Sequence, residues 1–267
     1  MGSTQLCKPP CGRQGHRSVY LKSQHKIVIF GGYAGYHLDD FFVYDIKENM
    51  WSLMEECHDD GNSNRLSPRE VFSMVLNEQR QSIVFFGGKD EDYRYNDMHE
   101  FSLVTKKWYR LHQGGPRKKI DSPKKTTVPK ETLLNIPSPR SSHSCIMIEK
   151  LQQMVMFGGY DGDDWLNDCW IFDFTLNKWT KVNLFTKHLS ENSLKIFQHG
   201  FSSHVAVFDD IRSEMLAFGG WTGEMDINAM WTITFPTLNE LEFQSKLGNI
   251  IDRNQLSDIS IITFSSS

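Results

Sequence analysis

A chain of 267 residues with 39% hydrophobic residues, 18 Phe and 7 Trp has enough apolar side chains to bury one large core, which excludes a disordered polypeptide. Its formal charge of −4 gives no general attraction to nucleic acid or anionic lipid, so neither is an expected partner. No apolar run approaches the roughly 18 residues of a membrane span, residues 1–10 lack the apolar centre of a signal peptide, and five cysteines are too few for a disulfide framework, so a cytoplasmic or nuclear location is expected.

The first predicted elements are four short runs of β-branched and aromatic residues, 19–21, 27–30, 41–44 and 51–53, separated by polar turns, with no competing helical period. The second run ends in Phe30-Gly31-Gly32. His16 stands fifteen residues before Gly31, with Arg13 three residues earlier; Asp39-Asp40 follows the glycines, and Trp51 lies twelve residues after Asp39. The same frame returns with Arg69, Phe72, Gly87-Gly88, Asn96-Asp97 and Trp108, and again with Arg140, His143, Gly158-Gly159, Asn167-Asp168 and Trp179. A fourth copy carries Phe201, His204 and Gly219-Gly220 but weakens at Asn228-Ala229, and Leu241 falls where the tryptophan belongs.

Glycine pairs at strand ends permit positive φ or a close backbone approach that a Cβ would block. Trp51, Trp108 and Trp179, at one repeat position, predict packing between neighbouring sheets, and the recurrent histidines predict structural hydrogen bonds. Self-similarity at a period of 56, 71 and 61 residues between glycine pairs is the mark of a repeat architecture.

This pattern resembles the kelch repeat, over residues 13 to about 243. The resemblance implies an all-β fold, a kelch-type β-propeller with four four-stranded antiparallel blades at about 13–56, 69–112, 140–183 and 201–243. Propellers usually have four to eight blades, so four copies imply either a small closed ring or an open arc whose exposed flanks would favour self-association.

Length variation is confined to one kind of loop: from each tryptophan to the next repeat the chain takes 18, 32 and 22 residues. These loops share an end of the blade with the loops after each glycine pair, 33–38, 89–95, 160–166 and 221–227, which are rich in Tyr, Trp and Asp. Variable aromatic loops on a rigid scaffold make a binding surface. A protein or peptide partner is therefore expected there, at Tyr36, Tyr95, Tyr160, Trp165 and Trp221. In kelch proteins arginines just before strand one often contribute, which the resemblance carries onto Arg13, Arg69 and Arg140; Phe201 departs from that pattern.

The stretch 106–130 holds nine Lys or Arg against one acid, interrupted by Pro116, Pro123 and Pro129, and reads as a solvated tether. Phosphate loops, nucleophile elbows and metal-ligand spacings are missing, and Cys7, Cys11 and His16 find no second ligand pair, so no catalytic residue, cofactor or metal is expected. A metal-dependent kelch enzyme is the disfavoured alternative. The tail 244–267 contains Gln255-Leu256-Ser257-Asp258-Ile259-Ser260-Ile261-Ile262, which resembles the opening strand of a BTB domain. That resemblance implies a second alternative, a piece of a kelch-then-BTB protein of the leucine-zipper-like regulator type, a class that includes substrate adaptors of cullin ubiquitin ligases.

Overall fold

Polar turns divide the chain into short strands, and the strands assemble in fours. The computed structural model describes residues 8–54, 64–115, 117–120, 136–182, 184–186, 197–235 and 260–265. Its first sheet is β1 (Arg17–Leu21), β2 (Lys26–Tyr33), β3 (His37–Asp45) and β4 (Met50–Leu53), antiparallel and in chain order. The second contains β5 (Ser73–Asn77) and β6 (Ser82–Phe86); after a two-residue strand outside the sheet, β7 (Tyr93–Arg94), it continues with β8 (Met98–Ser102) and β9 (Trp108–His112). A further two-residue strand, β10 (Lys118–Lys119), returns to pair with β7. The third sheet is β11 (Ser144–Ile148), β12 (Gln153–Tyr160), β13 (Trp165–Asp173) and β14 (Lys178–Val182).

After β15 (Phe185–Thr186), the fourth sheet follows with β16 (Val205–Asp209), β17 (Glu214–Phe218), β18 (Ala229–Thr234) and β19 (Ser260–Ser265). Here β19 runs antiparallel to β18 and parallel to β15. The fold is all-β, a β-propeller of four blades, each of four antiparallel strands as the repeat predicts, with the two-residue β15 added in parallel at the edge of the fourth. The fourth blade takes its last described strand from Ser260–Ser265, beyond the boundary at 243 suggested by the repeat spacing. Leu241 and residues 255–259 of the BTB-like run lie outside the described residues; Ser260, Ile261 and Ile262 of that run belong to β19.

The chain divides into two units, Met1–Leu133 with Ser138–Ser141, and Leu134–Pro137 with Ser142–Ser267. Each contains two blades around its own core. In the first, Phe30, Phe41, Phe72, Phe85, Phe101 and Trp108 are buried together, with ring centroids 5.0 Å apart for both Phe41–Phe101 and Phe85–Trp108. Aromatic pairs at such separations add about 0.5–1.5 kcal/mol each beyond the area they bury. In the second, Phe157, Phe197, Phe201 and Trp231 play that part, Phe201 stacking on Trp231 at 5.3 Å. Trp231 fills this core from β18, so the fourth blade supplies an indole although its repeat position lacks one.

The tryptophans at the repeat position do not share one environment. Trp108 and Trp179 are 5% and 1% exposed, as a core position predicts. Trp51 is half-buried, packed on Tyr44 at 4.9 Å within its own blade.

The glycine pairs do what their sequence position predicts. All eight glycines have positive φ, from 62° at Gly31 to 113° at Gly220. The register of β2 against β3 shifts between Phe30 and Gly32, and that of β12 against β13 between Phe157 and Gly159, so the pair forms a bulge that re-aims the chain. A Cβ on Gly88 would lie 2.8 Å from the Glu70 carbonyl and 2.7 Å from Phe72 Cβ. Position 88 therefore requires glycine both for conformation and for space.

Candidate partner-binding site

Three arginines precede strand one of the first three blades, and each turns inward. Arg69 is 1% exposed. Its Nε donates to Ser67 O, its Nη1 to Gly87 O at 3.0 Å and to Asp97 at 2.6 Å, and its Nη2 to Ser67 Oγ and Asp97. Arg13 repeats the arrangement with Cys11 O, Gly31 O and both carboxylate oxygens of Asp40. Arg140, also 1% exposed, donates to Ser138 O and Ser138 Oγ. A planar guanidinium suits this task because its fork satisfies a carboxylate and a carbonyl at once.

Each of these side chains is thus held by groups of its own blade. They tie the carbonyl of the first glycine, or the residue two places upstream, to their own blade. Cys11 occupies the place of Ser67 and Ser138 in this arrangement.

Asp97 sits between the Arg69 guanidinium and the His99 imidazole, whose Nε2 lies 2.9 Å from its Oδ2. Burial raises its pKa, but Arg69 and the His99 hydrogen bond outweigh burial and hold the carboxyl well below the usual range. Another buried polar position is His204, whose Nε2 lies 2.8 Å from Ser144 Oγ. Desolvation pushes its pKa down to about 4, so the ring is neutral at pH 7.

The predicted aromatic residues fall into different settings. Tyr36 is 65% exposed on the turn after the first glycine pair. Tyr95 is 5% exposed, its hydroxyl donating to Asp90 and its ring 4.0 Å from the Arg69 guanidinium carbon. Tyr160 and Trp165 pack with ring centroids 4.7 Å apart and planes tilted by 33°, and Gly223 lies so close that a Cβ there would meet the Trp165 ring at 2.5 Å. Trp165 is thus packed between its own loop and that of the fourth blade. Trp221, 38% exposed, pairs its backbone with Ser202.

What the structure brings together is a cleft of about 510 Å³ in the second blade. Arg69, Tyr95 and Asp97 line it, together with Arg65, Arg110 and Arg117. The loop after β9 builds one wall. Gly115 N–H donates to Asn96 Oδ1 at 3.0 Å, β10 pairs with β7, and Arg117 lies over Tyr93 at 5.2 Å and Tyr95 at 5.8 Å. Residues 114–115 and 117–120 therefore form a folded wall, which corrects that part of the reading of 106–130 as a solvated tether; Pro116 and residues 121–130 lie outside the described residues.

Proline and lysine content signalled a free loop, whereas backbone pairing with 93–94 decided the matter. Four guanidinium groups and one carboxylate among the lining residues give the cleft a cationic balance. Among the described residues no three His, Cys, Asp or Glu side chains converge as a metal cluster, and no helix is long and apolar enough to cross a membrane.

The family model of the KLHDC2/KLHL20/DRC7 Kelch-repeats domain matches this chain twice, over residues 4–134 and 61–195. The chain belongs to the kelch-repeat family. Among curated relatives, this kelch chain is 26% identical over 250 residues to host cell factor homolog hcf-1 of Caenorhabditis elegans, covering 88% of the chain and 28% of the relative. It is 25% identical over 162 residues to Kelch domain-containing protein 10 of Homo sapiens, covering 58% of the chain and 31% of the relative. Tip elongation aberrant protein 3 of Schizosaccharomyces pombe shares 29% over 192 residues, 64% of the chain and 16% of the relative. The kelch chain thus spans about a third or less of the length of these three relatives. Kelch repeats are generally protein-interaction modules.

Proposed function

We propose that the chain is a non-enzymatic interaction module that binds a protein or peptide partner at the loop end of its blades, and that the arginine-lined cleft of the second blade anchors an acidic segment of that partner. The cleft carries this reading. Its walls come from the segment before β5, the loop after Gly87-Gly88 and the loop after β9, its charge is cationic although the whole chain is at −4, and Tyr95 lines it beside Arg117. Arg and Tyr are residues that anchor interfaces, and a guanidinium cluster pairs well with carboxylates.

A titration of fluorescent acidic, neutral and basic peptides tests the proposal. Acidic peptides should bind and weaken as salt rises. Arg65→Ala combined with Arg117→Ala should cost at least about 2 kcal/mol of binding if these are hot spots. Full affinity in that variant, or loss of binding on changing the turn 22–26 at the opposite end of the blades, defeats it. The ubiquitin-ligase adaptor reading rests on the 255–262 run; use of residues 260–262 in β19 weighs against a separate BTB strand there.

A further inference from the structure

Consecutive blades within each unit are joined by a recurring set of backbone hydrogen bonds. Between blades one and two, Arg69 N–H donates to Leu38 O at 3.2 Å, Gly32 N–H to Arg69 O at 3.0 Å and Val71 N–H to Gly15 O at 2.8 Å. Between blades three and four the same three bonds are Phe201 to Leu166 at 3.1 Å, Gly159 to Phe201 at 3.0 Å and Ser203 to Ser142 at 2.8 Å. Side chains complete the junction. Phe30 and Phe41, on the leading face of blade one, receive Trp108 of blade two at 5.6 and 5.9 Å. Phe157 and Cys169 hold those positions in blade three, both 0% exposed.

Blade four carries the leading half of this junction unused. The equivalent groups are Gly220 N–H, Ile227 O and Ser203 O, and among the described residues none of them enters a backbone hydrogen bond. The positions of Phe30 and Phe41 are taken by Phe218 and Met230, which are 48% and 37% exposed, beside Val205 and Val207 at 67% and 61%. Register places these four side chains on one face: Val205 opposes Phe218, and Phe218 opposes Met230.

Blade one carries the trailing half unused. Arg13 N–H, Arg13 O and Gly15 N–H correspond to the groups of Arg69 and Val71, and among the described residues they too enter no backbone hydrogen bond. Tyr20 is 45% exposed, Leu53 38%, and Trp51 is half-buried where Trp108 is 5% exposed.

We propose that blade four of one chain docks on blade one of a second copy, with Trp51 entering the Phe218–Met230 face and Gly220 N–H donating to Arg13 O. The chemistry of the occupant is specified by what is missing: the face lacks an indole and a carbonyl, and the first blade of the same chain offers both. Every copy carries both halves. Two copies exchanging them about a twofold axis satisfy both junctions, whereas a single junction would propagate into a fibre.

Sedimentation velocity of the 267-residue chain over a range of concentrations tests this. A species with the mass of two chains should form and dissociate on dilution. Phe218→Asp and Tyr20→Asp, both at exposed positions, should each weaken the dimer at least tenfold while leaving the melting temperature unchanged. Mixing the two variants should restore dimer, because one junction in the mixed pair is intact. A wild-type monomer at every concentration overturns the proposal, as do filaments in place of a dimer. Loss of dimer in Phe218→Asp alone, with no rescue on mixing, would instead mean that two fourth blades meet face to face, and would also overturn it. These outcomes do not depend on the peptide cleft.

Discussion

Arg69 illustrates how one side chain serves both the fold and the candidate site. Its fork neutralises Asp97 and caps the Gly87 carbonyl, and one edge reaches the cleft. Removing it leaves a buried carboxylate without its main partner, so Arg69→Ala should lower folding stability by about 3–5 kcal/mol in urea denaturation. Arg69→Lys keeps the charge but loses the fork, and should fall between the two. His204 supplies a different residue-level test. Its folded pKa of about 4 lies below the ordinary 6.5, so its contribution is complete above pH 6.5 and is lost as pH falls towards 4. The loss should total about 3 kcal/mol. Urea midpoints between pH 4.5 and 7.5 should show this slope in the wild type and a shallower one in His204→Asn; a residual slope comes from His16, whose pKa is also lowered, chiefly by burial.

At the scale of elements, strand positions and glycine conformations were readable because both depend on local chemistry: short runs of β-branched and aromatic residues between polar turns predict strands, and paired glycines predict left-handed backbone. Predicted runs 27–30 and 41–44 lie inside β2 and β3. The candidate site was only half readable. Arg69 stood out by repeat position and Tyr95 by its place in the loop after a glycine pair, but Arg117 joined them through a β7–β10 pairing between two-residue strands, too short to leave a periodic trace. The burial of the arginines likewise depends on Asp40 and Asp97 some 27 and 28 residues away, partners that no local pattern selects. Equivalent positions need not be energetically equivalent either. Trp108→Ala, which empties a buried site among Phe30, Phe41 and Phe85, should cost about 3–5 kcal/mol. Trp51→Ala, at a half-buried position, should cost less than half of that in the isolated chain at dilutions where it is monomeric.

Across the whole molecule, the core is divided. Trp108 belongs to the cluster of the first two blades and Trp231 to that of the last two, with no residue common to both clusters. The destabilisation caused by Trp108→Ala and Trp231→Ala should therefore add within about 0.5 kcal/mol in the double variant. A larger coupling, measured by a double-mutant cycle in urea, would mean that the two cores communicate through packing.

The junction between blades is made by amides and carbonyls, and this bears on the history of the sequence. Phe201 has replaced the arginine of the other repeats, yet its N–H still donates to Leu166 and its carbonyl still accepts from Gly159. A bond that any residue type except proline can make is invisible to selection on most side chains, provided the glycine remains. Copies of the repeat are thus free to drift apart in nearly every letter while the frame persists, consistent with relatives sharing only 25–29% of their residues with this chain. Divergence can then accumulate in the loops without any need to reinvent the scaffold.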